Sequence, residues 1–154
     1  MSPYAENTDV SSDRSRAEIE RTLVRYGADQ FMYGWADGKA ILAFRANERQ
    51  VRFDLPLPDR NDSAFQFTPT KRYKRNDSEA EKAYEQAVKQ RWRALSLVIK
   101  AKLEAVEAGI TVFEDEFLAH LVLPDGKTMG QWARPQIESM YKGGKMPPLL
   151  GERE

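Results

Sequence analysis

Apolar residues change period twice along this chain, and each change marks an element. Ile19, Leu23 and Tyr26 recur at helical spacing, Ser15 and Glu18 have the spacing of a capping box, and Gly27 supplies a stop. A first helix is therefore expected from Ser15. Strict alternation follows. In QFMYGWA, Phe31, Tyr33 and Trp35 take one side and Met32, Gly34 and Ala36 the other. KAILAFR alternates as well, and QVRFDL groups Val51, Phe53 and Leu55 while sending Arg52 and Asp54 the opposite way. Asp37-Gly38 joins the first two strands with residues that tolerate positive φ, the requirement of a two-residue hairpin, and the polar ANER segment makes the second turn. Three such strands form an antiparallel meander whose apolar face needs a cover.

The cover is expected from a long helix. Between Pro56 and Asp77 periodicity is lost, and a connection of that length is usually functional or mobile; Phe65 and Phe67 are its candidate anchors. Helical periodicity returns from about Glu79 to Ala108 without an internal Gly or Pro. Tyr84, Val88, Trp92, Leu95, Ile99, Leu103 and Val106 share one face of this helix. After Gly109, Thr111 and Glu114 have capping-box spacing, predicting a short helix with Phe113, Phe117 and Leu121 inward. PDGK is a turn. Thr128 and Gln131 cap a last helix carrying Trp132, Ile137, Met140 and Tyr141, interrupted or started by Pro135, and Met146, Leu149 and Leu150 are expected to dock the extended tail into a groove. The expected fold class is α+β: an N-terminal helix, a three-stranded antiparallel meander, a long covering helix and short C-terminal helices. The expected organisation is a loose polar tail at 1–12 and one domain at 13–150, including the long loop at 56–77.

Composition narrows the function classes. The 154 residues are 41% hydrophobic, enough for one real core. There are 24 basic and 24 acidic residues and no cysteine, so no disulfide, thiolate metal site or thiol nucleophile exists. The N-terminus lacks the basic and apolar regions of a signal peptide, and no apolar run approaches the roughly 20 residues of a membrane span, so a cytoplasmic protein without membrane partners is expected.

Zero net charge conceals a polarised chain. Residues 71–102 hold ten basic and four acidic groups, while residues 103–126 hold six acidic groups and no Lys or Arg. Lys82, Lys89, Arg93 and Lys100 fall in a narrow stripe opposite the apolar face of the long helix, and the KRYKR segment, with Lys71, Arg72, Tyr73, Lys74 and Arg75, leads into it. Cations tracking a backbone with a tyrosine to stack on a base are what single-stranded or duplex nucleic-acid binding requires. Solvation of a long helix accounts for the same stripe without any ligand. Arg91 and Lys102 lie within the apolar sector and are expected to snorkel or to pair with a partner. Sheet aromatics can stack nucleotides too, but Phe31, Tyr33 and Trp35 are expected as core against the helix. The competing reading is a regulatory adaptor or inhibitor, whose phage or host protein partner would meet either this basic surface or the acidic patch Glu114, Asp115 and Glu116. Homo-oligomerisation is open.

Catalytic signals are thin. His120 and Glu116 share a helix face with Glu114 or Asp115 nearby, a spacing that fits no metal motif and is explained by acidic residues at a helix start. Asp54, Asp59 and Asp62 read as turn formers as readily as Mg²⁺ ligands. DGKT lacks the glycine of a phosphate-binding loop, with Leu121 in its place. A non-enzymatic protein with no cofactor and no metal is expected.

RWRALSLVIKAKLEAVEAG followed by FLAHLVLPDGKTMGQW resembles small proteins encoded by bacteriophages and prophages, over most of residues 15–150. That resemblance implies a phage setting, with DNA metabolism as the context for a nucleic-acid ligand, and carries over no catalytic residue. The element order is also similar to double-stranded RNA-binding domains, from which the chain departs by its long linker and sparse Lys82 and Lys89, and to single-strand annealing proteins, in which a sheet packs on a long helix.

Overall fold

The first helix, α1 (Pro3–Arg25), starts ahead of the expected Ser15 in the computed structural model, which describes residues 3–70 and 73–150, with side chains from Asp13 onward. Residues 3–12, expected as a loose tail, are helical backbone. Pro3 suits a first helical position, where its missing N–H would be unbonded anyway, and no Gly or second Pro follows within the helix. Ser15 and Glu18 consequently lie mid-helix. The stop is where it was expected: Gly27 takes φ 97°, the Ala28 N–H donates to the Leu23 carbonyl at 2.9 Å and the Gly27 N–H to the Val24 carbonyl at 3.1 Å.

Strands β1 (Gln30–Ala36), β2 (Lys39–Ala46) and β3 (Arg49–Pro56) form an antiparallel sheet in chain order. Both connections are two-residue turns. Ala36 pairs with Lys39 around Asp37 and Gly38, and Ala46 with Arg49 around Asn47 and Glu48; all four turn residues have φ between 50° and 73°. These left-handed values match the twist of the strands they join. The resulting register puts Phe44 opposite Phe31 and Val51, and Leu42 opposite Tyr33 and Phe53, on a single face.

That face is covered by α1 and α3 (Asp77–Glu107), which pack against each other. Asn76 caps α3 by accepting from the Glu79 N–H at 2.8 Å. Tyr84, Val88, Trp92, Leu95, Ile99 and Leu103 are buried, and Val106 packs against them, the stripe expected from the sequence. Ile19 and Leu23 of α1 join the same hydrophobic cluster, and the Tyr33 ring meets Trp92 at 5.3 Å. Trp35 is the exception among the sheet aromatics. It lies one pleat nearer the hairpin turn, 6.0 Å from Tyr33, and is mostly exposed instead of forming core.

The 56–77 connection is partly ordered. It contains α2 (Ser63–Gln66), capped by Asp62, and a bridge between Phe67 and Lys74, and Phe65 packs edge-on to Tyr84 at 5.8 Å. Phe67 is more exposed.

Beyond α3, Gly109 (φ 79°) closes the helix as Gly27 does α1. The expected single helix is two pieces, α4 (Phe113–Glu116) and a 3₁₀ turn at Leu118–His120. Val112, not Thr111, is the N-cap, and it makes no side-chain cap bond. The free edge of β3 explains the break. Leu121 bridges Val51, and the Val122 N–H donates to the Gln50 carbonyl at 2.8 Å, so this segment extends the sheet where a helix would have left the edge bare. Phe113, Phe117 and Leu121 are buried as expected, with Phe117 edge-on to Phe44 at 5.7 Å. Helix α5 (Met129–Gly143) starts with the Thr128/Gln131 capping box and contains no buried residue. The architecture is α+β. No helix among the described residues is long and apolar enough to cross a membrane.

Candidate nucleic-acid interface

The fold sorts the basic residues of the central segment into two groups. Arg91 donates to the Pro56 carbonyl at 2.8 Å, Lys102 to the Glu116 carbonyl at 3.1 Å and its carboxylate at 3.3 Å, and Arg75 to the Ala64 carbonyl at 3.2 Å. These three tie α3 and the loop to their neighbours. Lys82, Lys89, Arg93 and Lys100 are exposed and form no ion pair or hydrogen bond among the described residues. Helical geometry accounts for the difference. Arg91 and Lys102 emerge beside the buried stripe, within reach of carbonyls and carboxylates, whereas the stripe of four faces away from every neighbouring element.

Lys82 to Lys100 spans about 27 Å of helix at ~1.5 Å per residue. Within that length the outward face carries Gln86 and Leu97, and Glu85 borders it three residues after Lys82 and four before Lys89; Glu79 precedes it and Glu104 and Glu107 follow. Tyr73 and Lys74 stand at the entrance to α3, both exposed, with Tyr73 at 67%. The Thr68 N–H donates to the Tyr73 carbonyl at 2.9 Å and the Arg75 N–H to the Gln66 carbonyl at 2.7 Å, which fixes this part of the loop. Lys71 and Arg72 lie outside the described residues. Arg60, which sequence reasoning passed over, approaches Glu81 at 3.6 Å and lies 4.4 Å over the Tyr84 ring, so it clamps the loop to α3. The only signal for it was a cation in the loop and an acid in the first turns of the helix.

The arginines of the sheet are engaged. On the outer face of the sheet an open groove of about 540 Å³ is lined by Met32, Ala43, Arg45 and Arg52 among others. Arg45 faces Asp29 at 3.9 Å, and Arg52 contacts Asp54 at 3.2 Å, the Gly126 carbonyl at 2.8 Å and Gln131 at 3.2 Å. The acidic patch is also partly neutralised. Glu114 pairs with Arg49 at 3.8 Å and Glu116 with Lys102, leaving Asp115 without an ion pair among the described residues.

The remaining candidates have local duties. Asp54 pairs with Arg52 and with Lys39 at 3.8 Å, Asp59 accepts from the Asn61 N–H, and Asp62 caps α2. His120 stacks on Phe53 at 4.0 Å and forms no ion pair among the described residues. Burial, and then the nearby Lys102 charge, hold its pKa below the ordinary histidine value, against a hydrogen bond to the Arg52 backbone and the Asp54 charge, which raise it. Glu81 is shifted upward, chiefly by burial; Arg60 opposes the shift, and the charge and hydrogen bond of Glu85 add to it. Among the described residues no group of three or more histidines and carboxylates is arranged to hold a metal ion. Comparison with known proteins finds no matching family model, no matching curated protein and no matching solved structure.

Proposed function

We propose that this protein binds nucleic acid without catalysing a reaction on it, through the solvent face of α3 and the Tyr73–Lys74 entrance. The observation that supports this reading is the sorting of cations: those beside the core are engaged, and the four that share a straight outward face have no protein partner among the described residues. Cations held at helical spacing meet a phosphate backbone electrostatically and without sequence readout, and Tyr73 offers a ring for an unstacked base. Lys71 and Arg72 extend the basic run in sequence. On the resemblance of residues 91–109 and 117–132 to phage-encoded proteins, the setting is phage DNA metabolism in the cytoplasm.

A regulatory adaptor acting through Glu114, Asp115 and Glu116 has less support, because two of those carboxylates already hold Arg49 and Lys102. Fluorescence anisotropy with single-stranded and duplex DNA and RNA tests the reading. The Lys89→Gln/Arg93→Gln/Lys100→Gln variant is expected to bind at least about tenfold more weakly at low salt while unfolding at the parent temperature. No binding by the parent at low salt, together with a nuclease-resistant protein partner captured stoichiometrically, selects the adaptor instead.

A further inference from the structure

The connection between β3 and α3 is built as a strut. Loops of this length are commonly mobile, but this one is tied down along its course. Arg60 lies 4.4 Å over the Tyr84 ring and 3.6 Å from Glu81, and Phe65 meets Tyr84 edge-on at 5.8 Å. The Gln66 side chain donates to the Arg60 carbonyl at 3.1 Å, and Arg75 donates to the Ala64 carbonyl at 3.2 Å. At the outer end Phe67 bridges Lys74, flanked by backbone bonds from Arg75 to Gln66 and from Thr68 to Tyr73.

This strut presents Tyr73 to solvent. The Tyr73 N–H donates to the Thr68 hydroxyl at 3.4 Å while its carbonyl accepts from the Thr68 N–H at 2.9 Å, so its backbone is held on both sides. Its ring is 67% exposed and meets no other ring and no cation among the described residues. Anchoring of the loop falls to Arg60 and Phe65, which leaves the Tyr73 ring with no part in packing.

Ring and cations stand on different elements. Lys82, Lys89, Arg93 and Lys100 lie on α3, whereas Tyr73 and Lys74 lie on the strut before it. The first turns of α3 carry Asp77, Glu79, Glu81 and Glu85 around Lys82, and of these Glu81 faces Arg60. A rod laid along the helix therefore meets carboxylates at the end nearest Tyr73. Duplex DNA is such a rod, straight over lengths far greater than this protein, and its base faces are closed within the stack. It can use the cations alone. A single strand bends between nucleotides, so it can follow Lys89, Arg93 and Lys100, pass the acidic turns and lay an open base on the ring.

We infer that this site favours single-stranded nucleic acid over duplex and that Tyr73 sets the difference. The inference rests on the proposed function and narrows its ligand. Because the backbone of Tyr73 is already fixed, stacking a base on it forfeits little ordering entropy, and the contact is expected to be worth about tenfold in affinity. Every base has a π-face, so the preference for strand carries no preference for sequence.

Fluorescence anisotropy at about 0.1 M salt, with a labelled mixed-sequence DNA oligonucleotide alone and annealed to its complement, tests the inference. The parent is expected to bind the single strand more tightly than the duplex. Tyr73→Ala should lose about tenfold on the single strand and less than about twofold on the duplex, and Tyr73→Phe should keep the parent's affinity for both. Since Tyr73 is exposed, both variants are expected to melt at the parent temperature. Equal affinity of the parent for the two forms overturns the inference, as does a Tyr73→Ala variant that loses on both or on neither; in each case binding by the α3 cations stands. A parent that binds neither form even at low salt contradicts the proposed function itself, and the inference with it.

Discussion

Helices α3 and α5 carry the same sequence device, an apolar stripe at helical spacing, and meet opposite environments. The stripe of α3 lies on α1 and the sheet, with Trp92 2% exposed, whereas the stripe of α5 continues past the body with no buried residue. Periodicity reports that a face is apolar. It does not report whether the partner belongs to the same chain. The two helices differ in position: α3 is flanked by the sheet on its apolar side, while α5 leaves from the 3₁₀ turn at the sheet edge and has body beneath only its first turn. The polar faces differ as well, since α3 presents a run of four unpaired cations and α5 an internal ion pair, Glu138–Lys142, beside Arg134.

Truncating each stripe sharpens the contrast most. Trp92→Ala is expected to destabilise the monomer by about 3–5 kcal/mol, and Ile137→Ala by less than about 0.5 kcal/mol, in denaturant titrations at low protein concentration. Equal losses would mean that α5 is packed in the monomer after all. The next effect is smaller and lies within α3 itself. Lys102→Ala removes the tie to Glu116 and is expected to lower stability by about 1 kcal/mol, while Lys100→Ala, two residues away and unpaired, leaves unfolding unchanged and weakens nucleic-acid binding.

Acid provides the smallest probe. His120 has its folded-state pKa depressed below the ordinary value of 6.5, so the unfolded chain binds the proton more readily. The stability this contributes is present above the unfolded pKa and is lost as pH falls through the folded pKa. Parent and His120→Gln melting temperatures, compared from about pH 8 to pH 5, should therefore diverge below about pH 6.5, with the parent falling more steeply. Parallel curves would place His120 in contact with water.

Much of this was legible in the chain. The meander followed from alternation and from Asp37-Gly38, and the α3 stripe followed from periodicity, because both are local patterns with one packing solution. Arg91 and Lys102 were recognisable as engaged from their place in the apolar sector. What was not legible depended on a neighbour distant in sequence. The 113–121 segment reads as one helix until the open edge of β3 draws Leu121 and Val122 into bridges. Ser15 and Glu18 have the spacing of a cap, but spacing does not say that a helix has already begun at Pro3. Met146, Leu149 and Leu150 were expected in a groove and are exposed, with Met146 beside Met140 and Tyr141 in a shallow open cleft.

The most direct test of the proposed function is the salt dependence of nucleic-acid binding. With about four phosphates neutralised by the α3 stripe, the log of the association constant against the log of salt concentration should fall with a slope near minus three to minus four on duplex DNA. The Lys89→Gln/Arg93→Gln/Lys100→Gln variant should have a slope shallower by nearly three, since Lys82 and Lys74 remain of the described interface cations. A parent that does not bind at low salt, or a variant with the parent's affinity and slope, would contradict the account.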